Sequence, residues 1–283
     1  MTLRQWFQKG EAVLACGPHP ERAHRDAELL LLHAARLERA ALLVRWEEGL
    51  DEPGAARYSA HLERRLAGEP MQYILGETEF YGLPFRVTPD VLIPRPETEH
   101  TVEKVLDFAA RFPNPRIVDI GTGSGAIAVA LAHKLPQAVF TAIDISAPAL
   151  AVAAENAKRN GVAIRFLEGD LLAPVAGERF DLVVSNPPYV PESDRETISV
   201  EVRDHEPGVA LFAGCDGMDV YRRLIPSAFA ALAPGGFVAM EIGFGQAEAI
   251  GGMLAGSGFC EIEFIPDLQG IPRVACGQKP PQR

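Results

Sequence analysis

The stretch Arg116-Ile117-Val118-Asp119-Ile120-Gly121-Thr122-Gly123-Ser124-Gly125 runs from a β-branched apolar segment into three alternating glycines, and an alanine-rich pattern from Ala126 to Leu135 follows it. That order predicts a strand, a loop able to lie against a ligand, and a helix whose N-terminus offers free N–H groups. A second stretch, Ser185-Asn186-Pro187-Pro188-Tyr189, follows another buried-strand pattern, Phe180 to Val184. It sets a side-chain amide, rigid carbonyls and an aromatic ring at a strand end. The first stretch is suited to a cofactor and the second to a planar amide or amine beside it.

Outward from these two, the chain after residue 116 alternates strand and helix. Strands are expected at 116–120, 139–144, 163–168, 180–185, 235–242, 259–265 and 273–277. Helices are expected at 98–111, 125–135, 147–160, 217–232 and 245–256, with Asn160-Gly161 closing one and Pro234-Gly235-Gly236 making a turn. Such alternation implies a mostly parallel sheet covered by helices on both faces. The stretch 186–216 is too long for a plain connection, and long loops in compact domains are usually functional.

Residues 1–75 read as helices only. Leu3, Trp6 and Phe7 stand at helical spacing, Ala27 to Leu37 carries a dense apolar stripe, and Tyr58, Leu62 and Leu66 repeat before Gly68 and Pro70. Trp6 reads as core or a contact between helices. Phe80 to Val87, interrupted by Gly82 and Pro84, reads as a hairpin or bent connector. The expected organisation is therefore an all-α bundle at 1–75, a hairpin linker at 76–96 and an α/β domain at 97–283.

At 283 residues with 47% hydrophobic and 23% charged residues, the chain is long enough for two domains with a sizeable core. No apolar run approaches the ~20 residues of a membrane span, and the N-terminus lacks a signal-peptide core. Cys16, Cys215, Cys260 and Cys276 are scattered, and so are the seven histidines, so neither a metal site nor a disulfide framework is indicated. The expectation is four separate buried thiols in a metal-free cytoplasmic monomer. The net charge of −11 argues against nucleic acid, whose affinity rests largely on phosphate attraction. Arg22, Arg25, Arg36, Arg39, Arg64 and Arg65 enrich the N-terminal part and read as solvated faces or intramolecular pairs.

The glycines of 121–125 alone also satisfy a relaxed dinucleotide fingerprint, and Asp144, at the end of the next strand, suits the ribose of either cofactor. Three details favour S-adenosylmethionine. Asp119 stands where a carboxylate balances an ammonium and a sulfonium but would repel a pyrophosphate. Asp170 ends the third strand where an adenine edge would lie. The fourth strand ends in Asn-Pro-Pro-Tyr, with no partner for hydride chemistry. A planar amide is a poor nucleophile, so it must be desolvated and aligned at near-attack distance. The Asn186 oxygen and the Pro187 carbonyl can accept its N–H groups, and Tyr189 can stack on its plane.

Asn186-Pro187-Pro188-Tyr189 is shared among methyltransferases acting on nitrogen. Leu92-Ile93-Pro94-Arg95-Pro96-Glu97-Thr98-Glu99 is more selective, as are Gly68-Glu69-Pro70, Tyr73-Ile74-Leu75-Gly76, Phe80-Tyr81-Gly82, Glu206-Pro207, Ala210-Leu211-Phe212 and Asp216-Gly217. Together they resemble the bacterial peptide-chain-release-factor glutamine methyltransferases, the PrmC or HemK family, over nearly the whole chain.

The resemblance implies a Rossmann-like class I S-adenosylmethionine-dependent methyltransferase domain behind a helical domain that docks the protein substrate. It implies methylation of the glutamine amide in the Gly-Gly-Gln loop of class-one release factors, with S-adenosylhomocysteine as product. Carried over, Gly121, Thr122, Gly123, Ser124 and Gly125 hold the methionine part of the cofactor and Asp144 the ribose. Leu171 falls where relatives place an aromatic residue near the adenine. Asn186 touches cofactor and glutamine, Pro187, Pro188 and Tyr189 complete the substrate pocket, and Arg95 and Glu97 either help close it or form an ion pair.

Two other classes remain open on sequence: an N6-adenine methyltransferase on DNA or RNA, and an NAD-dependent dehydrogenase. A non-catalytic adaptor with the same fold is a third.

Overall fold

The structure is a computed structural model that describes residues 1–282, and the chain divides into two compact units. The first comprises Met1–Gly76 together with Ser199–His205, and the second takes Glu77–Ile198 and the chain from Glu206 onward. The hairpin expected as a linker thus belongs to the second unit, and a piece of the long loop after residue 186 belongs to the first.

The first unit packs α1 (Leu3–Leu14), α2 (Ala23–Ala35), α3 (Arg39–Val44), α4 (Glu52–Leu66) and α5 (Met71–Leu75) around Leu30, Leu31, Leu42 and Tyr58. Local signals set the helix ends. Thr2 and Gln5 form a capping box on α1, and Asp51 caps α4 by accepting the Gly54 N–H at 2.8 Å. Trp6 meets Tyr58 edge-on, with ring centroids 6.0 Å apart. Arg65 is 2% exposed, pairs with Asp26 at 2.7 Å and with Glu201, and donates to the Glu69 carbonyl at 3.0 Å.

In the second unit, β1 (Glu77–Phe80) and β2 (Leu83–Arg86) form an antiparallel hairpin. Its two-residue turn, Tyr81-Gly82, has positive φ at both positions (54° and 73°), the primed geometry that matches strand twist. Phe80 and Phe85 bury its inner face in the larger core. A 3₁₀ turn, Pro96–Thr98, leads into α6 (Glu99–Ala109).

Then come β3 (Arg116–Ile120), α7 (Ala126–Lys134), β4 (Val139–Asp144), α8 (Ala147–Arg159), β5 (Arg165–Glu168) and β6 (Phe180–Ser185). The segment Val200–His205 is α9, followed by α10 (Asp219–Ala231), β7 (Leu232–Glu241), α11 (Ala247–Gly256), β8 (Cys260–Pro266) and β9 (Pro272–Gln278). The sheet order is β5-β4-β3-β6-β7-β9-β8, with the first five strands parallel and β9 antiparallel to both its neighbours. Two apolar layers cover the sheet, one around Val105, Leu131 and Phe237 and the other around Val183, Tyr221 and Leu224.

Two expectations are corrected here. Pro234-Gly235-Gly236 lies inside β7 instead of forming a turn. The ladder shifts register between Phe180 and Leu182, and Gly235 and Gly236 exchange backbone hydrogen bonds with Lys279. Of the four cysteines expected to be buried, only Cys276 is; Cys260 on β8 is half-buried, and Cys16 and Cys215 are exposed in the turns after α1 and before α10. Among the described residues no helix is long and apolar enough to cross a membrane.

Candidate active site

Strand order reverses between β3 and β6: the chain moves from β3 to β4 on one side and returns to β6 on the other. Crevices form at the carboxyl ends of strands at such a point. A cavity of about 310 Å³ lies there, walled by both sequence stretches.

The glycine loop is held from below. Gly121 and Thr122 donate N–H groups to the Ile143 carbonyl at 2.8 and 3.1 Å, and Gly123 donates to Asp144 Oδ2 at 2.8 Å. Asp144 Oδ1 accepts the Ser146 N–H at 2.9 Å, so both carboxylate oxygens are oriented at the cavity wall. Gly121, Thr122, Gly123 and Ser124 line the cavity, and a Cβ on Gly121 or Gly123 would meet nothing within 4 Å. Asn156, fully buried on α8, ties the loop to the hairpin: its Nδ2 donates to the carbonyls of Ser124 and Arg86, both at 2.9 Å. Gly125 falls outside the wall and closes on Ala153 of α8.

Asp119 lies one layer down and is 1% exposed. Its Oδ2 accepts the Thr122 hydroxyl at 2.6 Å, and Oδ1 has no hydrogen bond of good geometry. Burial pushes the carboxyl up to about 7. The Thr122 hydroxyl and the Ala128 amide offset this only in part, and the Asp144 charge adds to it. Asp170 and Leu171 both line the cavity, but Asp170 is ion-paired with Arg223 rather than standing free for an adenine edge. Leu171 holds φ at 51°, the left-handed region that non-glycine residues seldom occupy, which turns the chain at the wall.

Asn186, Pro187 and Pro188 also line the cavity. Asn186 Nδ2 donates to Thr98 Oγ1 at 3.2 Å, and the Thr98 hydroxyl donates to Glu241 Oε2 at 2.6 Å. Glu241, the last residue of β7, is 3% exposed, and burial raises its carboxyl above the usual range. Arg95 lines the cavity and pairs with Glu206 at 2.6 Å.

Two expected substrate contacts are absent from the cavity wall. Tyr189 turns away from the cavity: its ring joins the core under β7 and its hydroxyl donates to Glu241 Oε1 at 3.3 Å. Glycines make room for it: a Cβ on Gly243 would lie 3.0 Å from the ring's Cδ2, and one on Gly217 would lie 2.2 Å from the Tyr189 carbonyl oxygen. Glu97 is exposed, because the 3₁₀ turn begun at Pro96 carries Thr98 inward and leaves Glu97 outside. Arg95 therefore finds its carboxylate in Glu206, not in its neighbour in sequence.

Sequence reasoning missed Thr98, Glu241, Phe212 and Arg223. Thr98 reads as a helix start, Phe212 belongs to the motif Ala210-Leu211-Phe212 without being singled out as a site residue, and Arg223 lies in a segment with no local signature. Glu241 did carry a signal: it is the lone charge in the apolar run Phe237 to Ile242.

Comparisons with known proteins fit this geometry. The family description "Methyltransferase small domain" matches residues 104–202, and "PrmC N-terminal domain" matches residues 5–76. The release factor glutamine methyltransferase of Koribacter versatilis is 43% identical over 281 residues, covering 99% of each chain. That of Moorella thermoacetica is 46% identical over 278 residues, covering 96% of this chain and 97% of its own.

The chain belongs to the release factor glutamine methyltransferase family.

The cofactor of this family is S-adenosylmethionine, and the residues around the cavity suit that group. Open space lies over Gly121 and Gly123, a carboxylate stands at a strand end, and buried Asp119 lacks a compensating cation. Among solved structures, a Pyrococcus furiosus methyltransferase shares the fold at 20% identity and TM-score 0.52, covering 80% of this chain and 97% of its own. The T. thermophilus rRNA methyltransferase RsmC, solved with AdoMet and guanosine, shares it at 18% identity and TM-score 0.53, covering 72% and 49%. The family excludes the nicotinamide reading.

Proposed function

We propose that Asn186 and the Pro187 carbonyl hold the side-chain amide of the glutamine in a class-one release factor's Gly-Gly-Gln loop, and that the enzyme places a methyl group on its nitrogen. The observation that carries this reading is the meeting of Asn186, Pro187 and Pro188 with the glycine loop in one cavity. S-adenosylmethionine supplies a methyl carbon on a sulfonium sulfur. The protein's part is positioning and charge. Gly121 to Ser124 cradle the methionine portion, Asp144 accepts from the ribose hydroxyls, and Asp119 offers negative charge to the cationic end.

Asn186 and Pro187 strip water from the acceptor amide and accept its N–H groups, which stabilises the positive charge developing on nitrogen. When bound, S-adenosylmethionine would supply the methyl carbon and take up the electron pair of its C–S bond, while Asn186 and the Pro187 carbonyl hold the acceptor nitrogen in line and leave its displaced proton to solvent. No strong base is required. Arg95, fixed by Glu206, closes the mouth, and Leu171 packs toward the adenine.

In the same reading the helical unit docks the release factor. The substrate is protein rather than nucleic acid, consistent with the net charge of −11, and the enzyme works as a cytoplasmic monomer.

The test is transfer of labelled methyl to a purified release factor beside its Gly-Gly-Ala version. Label on the first alone is the expected result. Asn186→Ala is expected to bind cofactor and lower kcat by about 100- to 1,000-fold, the scale of losing one preorganised polar contact. Turnover that survives this substitution overturns the assignment of Asn186.

A further inference from the structure

We propose that Thr98 and Glu241 are positioning residues that hold the Asn186 amide one way round, with Nδ2 facing Thr98 and Oδ1 left for the acceptor. The inference rests on the reading of Asn186 as the acceptor-binding residue. The three side chains come from separate places: the turn before α6, the end of β7, and the loop after β6.

Their hydrogen bonds allow one direction. An ionised carboxylate only accepts, and Glu241 takes the Thr98 hydroxyl on Oε2 at 2.6 Å and the Tyr189 hydroxyl on Oε1 at 3.3 Å. Thr98 has a single hydroxyl proton, and it points to Glu241. Toward Asn186, 3.2 Å away, Thr98 Oγ1 can therefore only accept. A reversed Asn186 amide would set two acceptor oxygens against each other with no proton between them. That costs a buried hydrogen bond and brings an oxygen–oxygen repulsion.

Orientation matters because the substrate group is itself an amide NH₂. Asn186 Oδ1 accepts one of its N–H bonds; a misplaced Nδ2 would present a donor to a donor and push the nitrogen off line. Glu241 thus acts on the reaction through two hydrogen bonds without touching substrate. No proton is transferred along the chain, and its function is to fix a direction. Thr98 lines the cavity and Glu241 closes the network behind it.

The experiment measures single-turnover rate and the KM for a release factor, with cofactor affinity and thermal midpoint followed alongside. Thr98→Val keeps the side chain's shape and removes the hydroxyl. Its expected effect is a rate loss on the order of tenfold to a hundredfold, appearing in kcat more than in KM, as for a misaligned reacting group. Thr98→Ser is expected to recover most of the loss. In an Asn186→Ala background, Thr98→Val is expected to cost nothing further, because there is no amide left to orient.

Two results overturn the inference: Thr98→Val keeping the wild-type rate, or the same loss with and without the Asn186 amide. If Asn186→Ala itself retains turnover, the acceptor assignment fails first, and the inference fails with it. Should Thr98→Val not fold, Glu241→Gln tests the chain from its far end. Its neutral amide can donate to Thr98 and so free the hydroxyl to turn; an unchanged kcat would overturn the proposal.

Discussion

Buried Arg65 of the helical unit and buried Asp119 and Glu241 of the catalytic unit are treated in opposite ways, although Glu206 of the catalytic unit is paired with Arg95. In the helical unit, Arg65 is almost wholly enclosed, yet it meets two carboxylates, Asp26 and Glu201, and a backbone carbonyl. In the catalytic unit, Asp119 and Glu241 are just as enclosed, and the side chains that hydrogen-bond to them are hydroxyls. Opposite charges in contact offset much of the cost of leaving water, whereas burial raises the pKa of a carboxylate that has no cation in contact. Asp119 rises to about 7 and Glu241 rises too, both chiefly through burial. A fold does not need such groups, and an apolar or amide side chain would serve packing better. In the reading proposed above their presence marks the site, with Asp119 answering the cofactor's positive charge and Glu241 holding the Thr98 hydroxyl.

The comparison breaks most visibly at Arg65. Arg65→Ala leaves buried Asp26 without its cation and Glu201 with the more exposed Arg22 at 3.5 Å, and the expected loss is about 3–5 kcal/mol of stability. Urea unfolding of the full chain measures it. A loss within experimental error would mean that water already enters this cluster, and the contrast with the catalytic unit would disappear.

Asp119 sharpens the other side. Its folded pKa of about 7 lies above that of an unfolded aspartate, so the native state keeps a proton that the unfolded chain has lost. Stability contributed by that proton is present at low pH, falls as pH rises from the unfolded value, and is gone above about 7. Asp119→Asn is expected to remove this slope from denaturation curves.

A bound sulfonium and ammonium favour the ionised form, so cofactor affinity is expected to climb with pH toward that same value and then level off. The limiting slope is about tenfold per pH unit for one released proton. Calorimetry across that range tests it, and an equal slope in Asp119→Asn would assign the proton to another group.

The pattern of what the sequence discloses follows the range of the interactions. The glycine loop, the capped helices and Asn-Pro-Pro-Tyr at a strand end are local, each written in fewer than a dozen consecutive residues. Gly121 to Ser124, Asp144, Asn186 and Pro187 accordingly all stand around one cavity.

What escaped depends on partners far away in the chain. Thr98 and Glu241 are separated by 143 positions, and Arg95 and Glu206 by 111. Tyr189 reads as a stacking ring because its own tetrapeptide says nothing of Gly243, whose missing side chain leaves room beside the ring. Glu97 reads as a pocket residue because a charge beside Arg95 looks like its partner, whereas a 3₁₀ turn sends it outward. The Ser199–His205 segment joins the helical unit through Glu201, a long-range ion pair with no sequence signature.

The smallest expected effect concerns Asp170, where the contrast between paired and lone carboxylates meets at the cavity itself. Asp170 and Arg223 are ion-paired on the wall, with side chains 48% and 60% exposed, so water screens their attraction. Their pairing contributes at most about 1 kcal/mol to stability. Asp170→Ala is therefore expected to leave the unfolding midpoint nearly unchanged. If the carboxylate leaves Arg223 to accept from an adenine amino group, the same substitution weakens cofactor binding by several-fold, and Arg223→Ala strengthens it by freeing the carboxylate. If Asp170 stays with Arg223 when cofactor binds, the two substitutions shift affinity in the same direction. Titrations of the two variants distinguish a pair that opens for the ligand from one that only borders it.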